Sequence, residues 1–308
     1  MINRTLIEQA EQKIKRAYTA LDTVIILQGD QRVYAAVFNP ACALDKPTSV
    51  YSVTKSITAT LIGIAIDNGY ISSVDQTLTE LLPELCAAAN PAAGVGEITL
   101  HQLLSMTSGQ LWNNGGLQTE PMLTRIMQQP DWLHALLKLP VNASQTGQFK
   151  YSTGTSHLLS AIIHHTTGAT CAKFAAQYLF TPLGITDYHW EMDPQGYNTG
   201  GWGLHLTPDD MAKFGQLILR QGEHNQSQLI SAHWITASTT AYTAEYGYQW
   251  WLKSSKDLQC WCAQGLGGQF ICCIPSLNAV IVTTSQFAGR RKNLWAMFED
   301  YWLPALRR

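Results

Sequence analysis

Between Ser52 and Asn68 the chain carries apolar or small residues on almost every helical face. Leu61, Ile62, Ile64 and Ala65 sit among Ala59 and Gly63, and Gly69 stands where a C-terminal cap belongs. A helix with no wide polar face has to run through the interior of a fold, covered on all sides. Its opening residues, Ser52-Val53-Thr54-Lys55, therefore carry a hydroxyl and an ammonium into that interior. Burying a lysine is costly unless it is paired, or unless its pKa falls and it works as a neutral amine. The plain alternative is a side chain that snorkels to the surface.

Such a helix needs a large core around it, and 308 residues with 46% apolar and 14% charged side chains supply one. The formal net charge of −2, with Lys and Arg scattered, argues against a nucleic acid or anionic lipid partner and leaves a small-molecule or peptide substrate. Leu6, Ala10, Ile14, Ala17 and Leu21 recur at helical spacing among charges, which predicts a surface helix rather than a signal peptide. No run approaches the roughly 18 apolar residues that span a bilayer, so no membrane association is expected. Seven cysteines, an odd number spread through apolar segments, predict reduced thiols and a cytoplasmic protein. Cys260-Trp261-Cys262 and Cys272-Cys273 raise the question of zinc. In strands, however, Cys272 and Cys273 point to opposite faces, so no metal is expected.

Thr23–Leu27, the Gly29-Asp30 turn and the alternation of Val33, Ala35 and Val37 predict a hairpin. Residues 72–200 read as helical stretches broken by loops such as Thr107-Ser108-Gly109 and Asn113-Asn114-Gly115-Gly116. Thr207-Pro208-Asp209-Asp210 supplies an N-cap, a first-turn proline and two acids for a further helix. Four antiparallel strands are predicted at 248–251, 259–264, 270–274 and 279–284, followed by a closing helix bearing Trp295, Phe298, Tyr301 and Trp302. The expected fold class is α/β (α+β). Residues 1–71 and 201–308 build an antiparallel sheet flanked by the terminal helices, residues 72–200 build a mostly helical subdomain, and a cleft lies between them.

A Ser-x-x-Lys match occurs on the order of once by chance in a chain of this length. Context gives it meaning, because Lys55 lies one turn after Ser52 on the same face, at a helix N-terminus that favours developing negative charge. Tyr151-Ser152-Thr153-Gly154 precedes a helical run, and a tyrosine there can serve as a proton relay or simply pack as an aromatic. Ala263-Gln264-Gly265-Leu266-Gly267-Gly268-Gln269 is a glycine-rich turn between strands. Gly265 would let a substrate approach the backbone, and the Leu266 N–H could join that of Ser52 in an oxyanion hole. A hairpin without a catalytic part fits the same residues. Trp112, Trp202, Tyr248 and Trp250 are candidates for an apolar substrate wall.

Taken in order, these three elements resemble the serine β-lactamase and penicillin-binding protein superfamily, in its class C β-lactamase-like branch of esterases, D-amino-acid peptidases and amide hydrolases. Thr99-Leu100-His101-Gln102-Leu103-Leu104-Ser105-Met106-Thr107-Ser108-Gly109 is similar to that branch's TLxxLLxxTSG segment, and Phe180-Thr181-Pro182-Leu183-Gly184-Ile185 to its F-x-PLGI signature. The resemblance implies a β-lactamase/transpeptidase-like fold and an acyl-enzyme mechanism. Ser52 would be the nucleophile, Lys55 and Tyr151 would manage its proton, and no cofactor would be required. Two departures stand out. Thr153 replaces the Asn that commonly ends the second motif, where a hydroxyl can still reach a substrate amide. Ala263 occupies the place of the third-motif Lys or His, so the cation that grips a β-lactam carboxylate is missing there; Arg290 or Arg291 is the candidate to replace it. A second reading is a non-catalytic protein of this fold that captures peptidoglycan-like or β-lactam ligands. The intact Ser52, Lys55 and Tyr151 favour the hydrolase.

Overall fold

The computed structural model describes residues 3–115, 120–255, 257–286 and 294–306. Its centre is a six-stranded antiparallel sheet in the order Gln31–Val37, Leu21–Gln28, Ala279–Ser285, Gln269–Ile274, Leu258–Gly265, Trp251–Ser255. The hairpin from the N-terminal part thus sits beside the strands of the C-terminal part. The Leu21–Gln28 strand is buried along most of its length because both faces of the sheet are covered.

On one face lie the Arg4–Ala17 helix and the C-terminal helical segments Leu294–Met297, Phe298–Trp302 and Leu303–Leu306. Asn3 caps the first helix, its Oδ1 accepting the Leu6 N–H at 3.1 Å. This phase turns Ile7, Ala10 and Ile14 onto Val24, Ile26 and Ile281, while Leu6, expected on the core stripe, is 37% exposed. On the other face lie the Val53–Asp67 and Pro208–Leu219 helices. The Thr207 Oγ1 accepts the Asp210 N–H at 2.9 Å, so that helix starts where its cap residue predicts.

Shorter helices between Leu78 and Phe180, together with the 15-residue Thr153–Thr167 helix, join Val53–Asp67 in one large apolar cluster. Thr48–Ser49, Leu204–Leu206 and His189–Trp190 form a small second sheet just before the nucleophile helix.

The strand expected from Tyr248 begins only at Trp251. Gln249 adopts φ +61° and leaves the ladder. Its side-chain Nε2 donates to the Leu104 carbonyl at 2.8 Å, its Oε1 accepts the Ser156 hydroxyl at 2.7 Å, and its carbonyl accepts the Ser56 hydroxyl at 2.7 Å. Three helices are tied through one buried residue, two by its side-chain amide and one by its backbone carbonyl, a set of bonds that outweighs two more residues of edge strand. Among the described residues no helix is long and apolar enough to cross a membrane.

Candidate active site

The turn into the Val53–Asp67 helix is sharp. Tyr51 takes φ +47°, a left-handed conformation that a bulky residue adopts only when its surroundings hold it there. The holding bonds run from Val53 N to Val50 O (3.1 Å), from Thr54 N to Tyr51 O (3.0 Å) and from Val50 N to Leu204 O (3.0 Å). Ser52 is thereby set at the N-cap with a half-buried side chain, and Lys55 points back along the same face.

Lys55 is 1% exposed, and its Nζ has three oxygen neighbours: Ser52 Oγ at 3.1 Å, Thr153 Oγ1 at 2.9 Å and the Gly201 carbonyl at 2.9 Å. The lysine does not snorkel. The Gly201 carbonyl can only accept. Thr153 donates its one proton to Glu120 Oε1 at 2.5 Å, so its oxygen must also accept from Lys55. Two N–H bonds of the amine are committed, and the third tetrahedral direction faces Ser52 Oγ. In the neutral amine that direction holds the lone pair; in the ammonium it holds a proton for the same oxygen.

Glycine is needed where Lys55 is received, because a Cβ at Gly201 would stand 3.0 Å from Nζ and 2.8 Å from Thr153 Cγ2. The preceding Gly200 is clamped as well, since a Cβ there would lie 1.9 Å from the Ser156 carbonyl. The His157 Nε2–H donates to Asp193 Oδ2 at 2.9 Å while Nδ1 accepts the Gly200 N–H at 3.4 Å, bracing the loop that delivers the Gly201 carbonyl. This tautomer follows from Nδ1 serving as the acceptor.

Tyr151 lies beside the same amine, with Lys55 Nζ 4.9 Å from its ring centroid. The ring stacks on Trp251 (centroids 5.8 Å, 23°) and meets the edge of Tyr246 (6.4 Å, 84°). Burial holds the Tyr246 phenol well above the ordinary tyrosine range, with Tyr151 and Glu120 adding to the shift, so it stays neutral. Tyr151 presents its ring face to Lys55, and among the described residues no hydrogen bond joins its hydroxyl to Ser52 or Lys55.

Thr153, expected to reach substrate, is 2% exposed, and its hydroxyl is engaged on both sides by Glu120 and Lys55. Trp112, expected as a substrate wall, is 5% exposed; its Nε1–H donates to Glu120 Oε2 at 2.9 Å and its ring covers Gly154. Both belong to the frame behind Lys55. Trp250 and Tyr248 are also buried, at 0% and 3% exposure, whereas Trp202 is half-buried against Trp132 and His157.

Gly265 ends its strand pressed onto the nucleophile turn, since a Cβ would come within 2.3 Å of the Val50 carbonyl. Leu266 follows directly. Neither its N–H nor that of Ser52 is taken by a protein acceptor among the described residues. Ala263 shares the Gly265 face, fully buried, and brings no cation. Arg290 and Arg291 lie outside the described residues. Cys260, Cys262 and Cys272 face the terminal helices, with Cys262 Sγ 3.1 Å from Cys272 Sγ, and Cys273 points the other way onto the Gly215 carbonyl. A surface depression of about 520 Å³ lined by Met122, Arg125, Ile126 and neighbouring residues includes none of the Ser52 constellation.

Glu120, Gly201 and the His157–Asp193 pair are absent from a reading of the sequence alone. Pro121 marks a helix start and so hints that Glu120 is an N-terminal residue, but nothing local joins Glu120 to Thr153, 33 residues away.

A profile of the Beta-lactamase family matches residues 7–298. The chain is 24% identical over 311 residues to the 6-aminohexanoate-dimer hydrolase of Paenarthrobacter ureafaciens, covering 94% of this chain and 78% of that one. Among solved structures it superposes on a D-stereospecific amidohydrolase from Streptomyces sp. with TM-score 0.71 at 18% identity, covering 97% of this chain and 99% of the other. It also superposes on the octameric penicillin-binding protein homologue from Pyrococcus abyssi with TM-score 0.73 at 18% identity, covering 97% and 77%. The match over nearly the whole length, on an antiparallel sheet flanked by helices, shows that this chain belongs to the Beta-lactamase family and is a β-lactamase-related serine hydrolase.

Proposed function

We propose that the protein hydrolyses a small ester or amide through an acyl-enzyme on Ser52, with Lys55 as the general base. The observation that carries this reading is the buried Lys55 amine. Two of its directions are fixed by the Thr153 oxygen and the Gly201 carbonyl, and the third is aimed at Ser52 Oγ. As the Ser52 Oγ–carbon bond forms, the hydroxyl proton moves to Lys55 Nζ, and the carbonyl oxygen gathers negative charge between the N–H groups of Ser52 and Leu266. Collapse expels the alcohol or amine, which takes the proton from Lys55. Water then enters, gives its proton to Lys55 and releases the acid, and the proton returns to Ser52 Oγ. A relative named as a hydrolase of the 6-aminohexanoate dimer, an amide of an amino acid, supports an amide among the substrates here. Seven free thiols, six of them buried, support a reducing, cytoplasmic setting.

With Ala263 in place of a cation, β-lactams lose a charge-assisted hydrogen bond of roughly 1.5–3 kcal/mol, about ten- to a hundred-fold in rate. A p-nitrophenyl ester is therefore expected to have a higher kcat/KM than a chromogenic cephalosporin on the same preparation. A cephalosporin that is the better substrate would mean either that Ala263 is not the third-motif position or that an arginine has taken over the role, and an Arg290→Ala, Arg291→Ala double variant would tell which.

A further inference from the structure

We propose that Glu120 is a positioning residue of this hydrolase, acting on Lys55 through the Thr153 hydroxyl; the inference rests on the acyl-enzyme reading. Three donors converge on the Glu120 carboxylate. The Thr153 hydroxyl reaches Oε1 at 2.5 Å, while the Thr153 N–H at 3.0 Å and the Trp112 Nε1–H at 2.9 Å both reach Oε2. Thr153 Oγ1 in turn accepts from Lys55 Nζ at 2.9 Å. The carboxylate and the amine are therefore each one hydrogen bond from the same oxygen.

Two consequences follow from this chemistry. A carboxylate has no proton to give, so the Thr153 proton is committed to Glu120 and its oxygen to Lys55, which keeps the remaining direction of the amine on Ser52. A carboxamide in the same place could donate to Thr153 instead, freeing that hydroxyl to turn its proton onto Lys55 and draw the lone pair away from Ser52. The negative charge also stabilises the ammonium that forms when Ser52 gives up its proton, much as the acid of a catalytic triad stabilises its imidazolium. Thr153 can hold Lys55 in this way only because Glu120 orients it; where the family motif commonly ends in Asn, one carboxamide supplies both donor and acceptor. Among the described residues, Lys55 reaches the carboxylate through Thr153, and the Tyr246 phenol lies close enough to feel its charge.

The test is Glu120→Gln, compared with wild type by kcat and KM for a p-nitrophenyl ester and by thermal melting. The expected result is a kcat lower by at least about tenfold with KM nearly unchanged, because the lost function lies in proton transfer. Thr153→Ser, which keeps the hydroxyl, should retain most activity, and Thr153→Val should lose it. Wild-type kcat in Glu120→Gln would overturn the proposal, as would a loss that follows a falling melting temperature or one carried by KM rather than kcat. Fluorophosphonate labelling of wild-type Ser52 separates the two readings. Labelling with an unaffected Glu120→Gln overturns the Glu120 role alone, and failure to label overturns both.

Discussion

The layers on the two sides of the central sheet are built differently. Under the terminal helices, Ile7, Ile14, Val24, Ile26, Cys262, Cys272, Ile281, Phe298 and Trp302 make a cluster of hydrocarbon, aromatic rings and thiols. On the opposite side the interior admits Lys55, Ser56, Thr58, Thr153, Ser156, His157 and Gln249, each with a protein hydrogen-bond partner. Stripping water from such groups costs free energy unless partners replace it, so a layer that buries many of them is committed to one arrangement. The first layer draws on buried area and tolerates change according to volume. The second draws on directed bonds, and those bonds lead toward the amine beside Ser52.

This contrast can be broken most forcefully at Lys55. Lys55→Met keeps much of the length and buries well, so the fold should persist with a stability loss of about 1–3 kcal/mol from the unpaired Gly201 and Thr153 acceptors. Ester hydrolysis should fall by about a hundred-fold or more, because the base is gone. Melting curves and kcat/KM on one preparation check both parts, and a variant that hydrolyses normally would remove Lys55 from the chemistry. Gly265→Ala is expected to act more weakly. The new methyl meets the Val50 carbonyl, a backbone atom, and must push the strand and nucleophile turn apart. A displacement of that size at reacting groups costs up to about a hundred-fold in rate, and an unaffected kcat would show that Gly265 does not set the distance between Leu266 and Ser52. On the terminal face, Ile14→Ala sharpens the contrast from the other direction. A loss of about 2–5 kcal/mol in unfolding free energy is expected at that fully buried position, with kcat/KM of the folded protein unchanged. A specific fall in kcat would mean that the two layers are coupled.

Local chemistry was readable along the chain. The Ser52–Lys55 spacing, the Thr207 cap and the Gly29-Asp30 turn depend on neighbours within a few residues, and the structure has each where such rules place it. Phase was less readable. Leu6 and Ile7 differ by one position on a helix, and the Asn3 cap together with packing beneath Trp302 chose between them. Tyr248–Trp250 look like strand, yet Gln249 is pulled out of the ladder by partners near residues 56, 104 and 156. The frame around Lys55 was the least readable part, because its acceptors come from Thr153 and Gly201, and Glu120 adds a third separation. Composition and periodicity report which residues are buried. They do not report which distant oxygen meets a buried amine.

The central claim is that Ser52 carries the acyl group, and intact-mass spectrometry tests it directly. Wild-type protein and Ser52→Ala are each mixed with a fluorophosphonate probe and digested, and the peptide containing Ser52 is sequenced by fragmentation. The account predicts one added phosphonyl group per wild-type chain, located on Ser52, with no such adduct in Ser52→Ala although its melting temperature is close to that of wild type. A wild-type chain that takes no label, or an adduct that persists in folded Ser52→Ala, would contradict it.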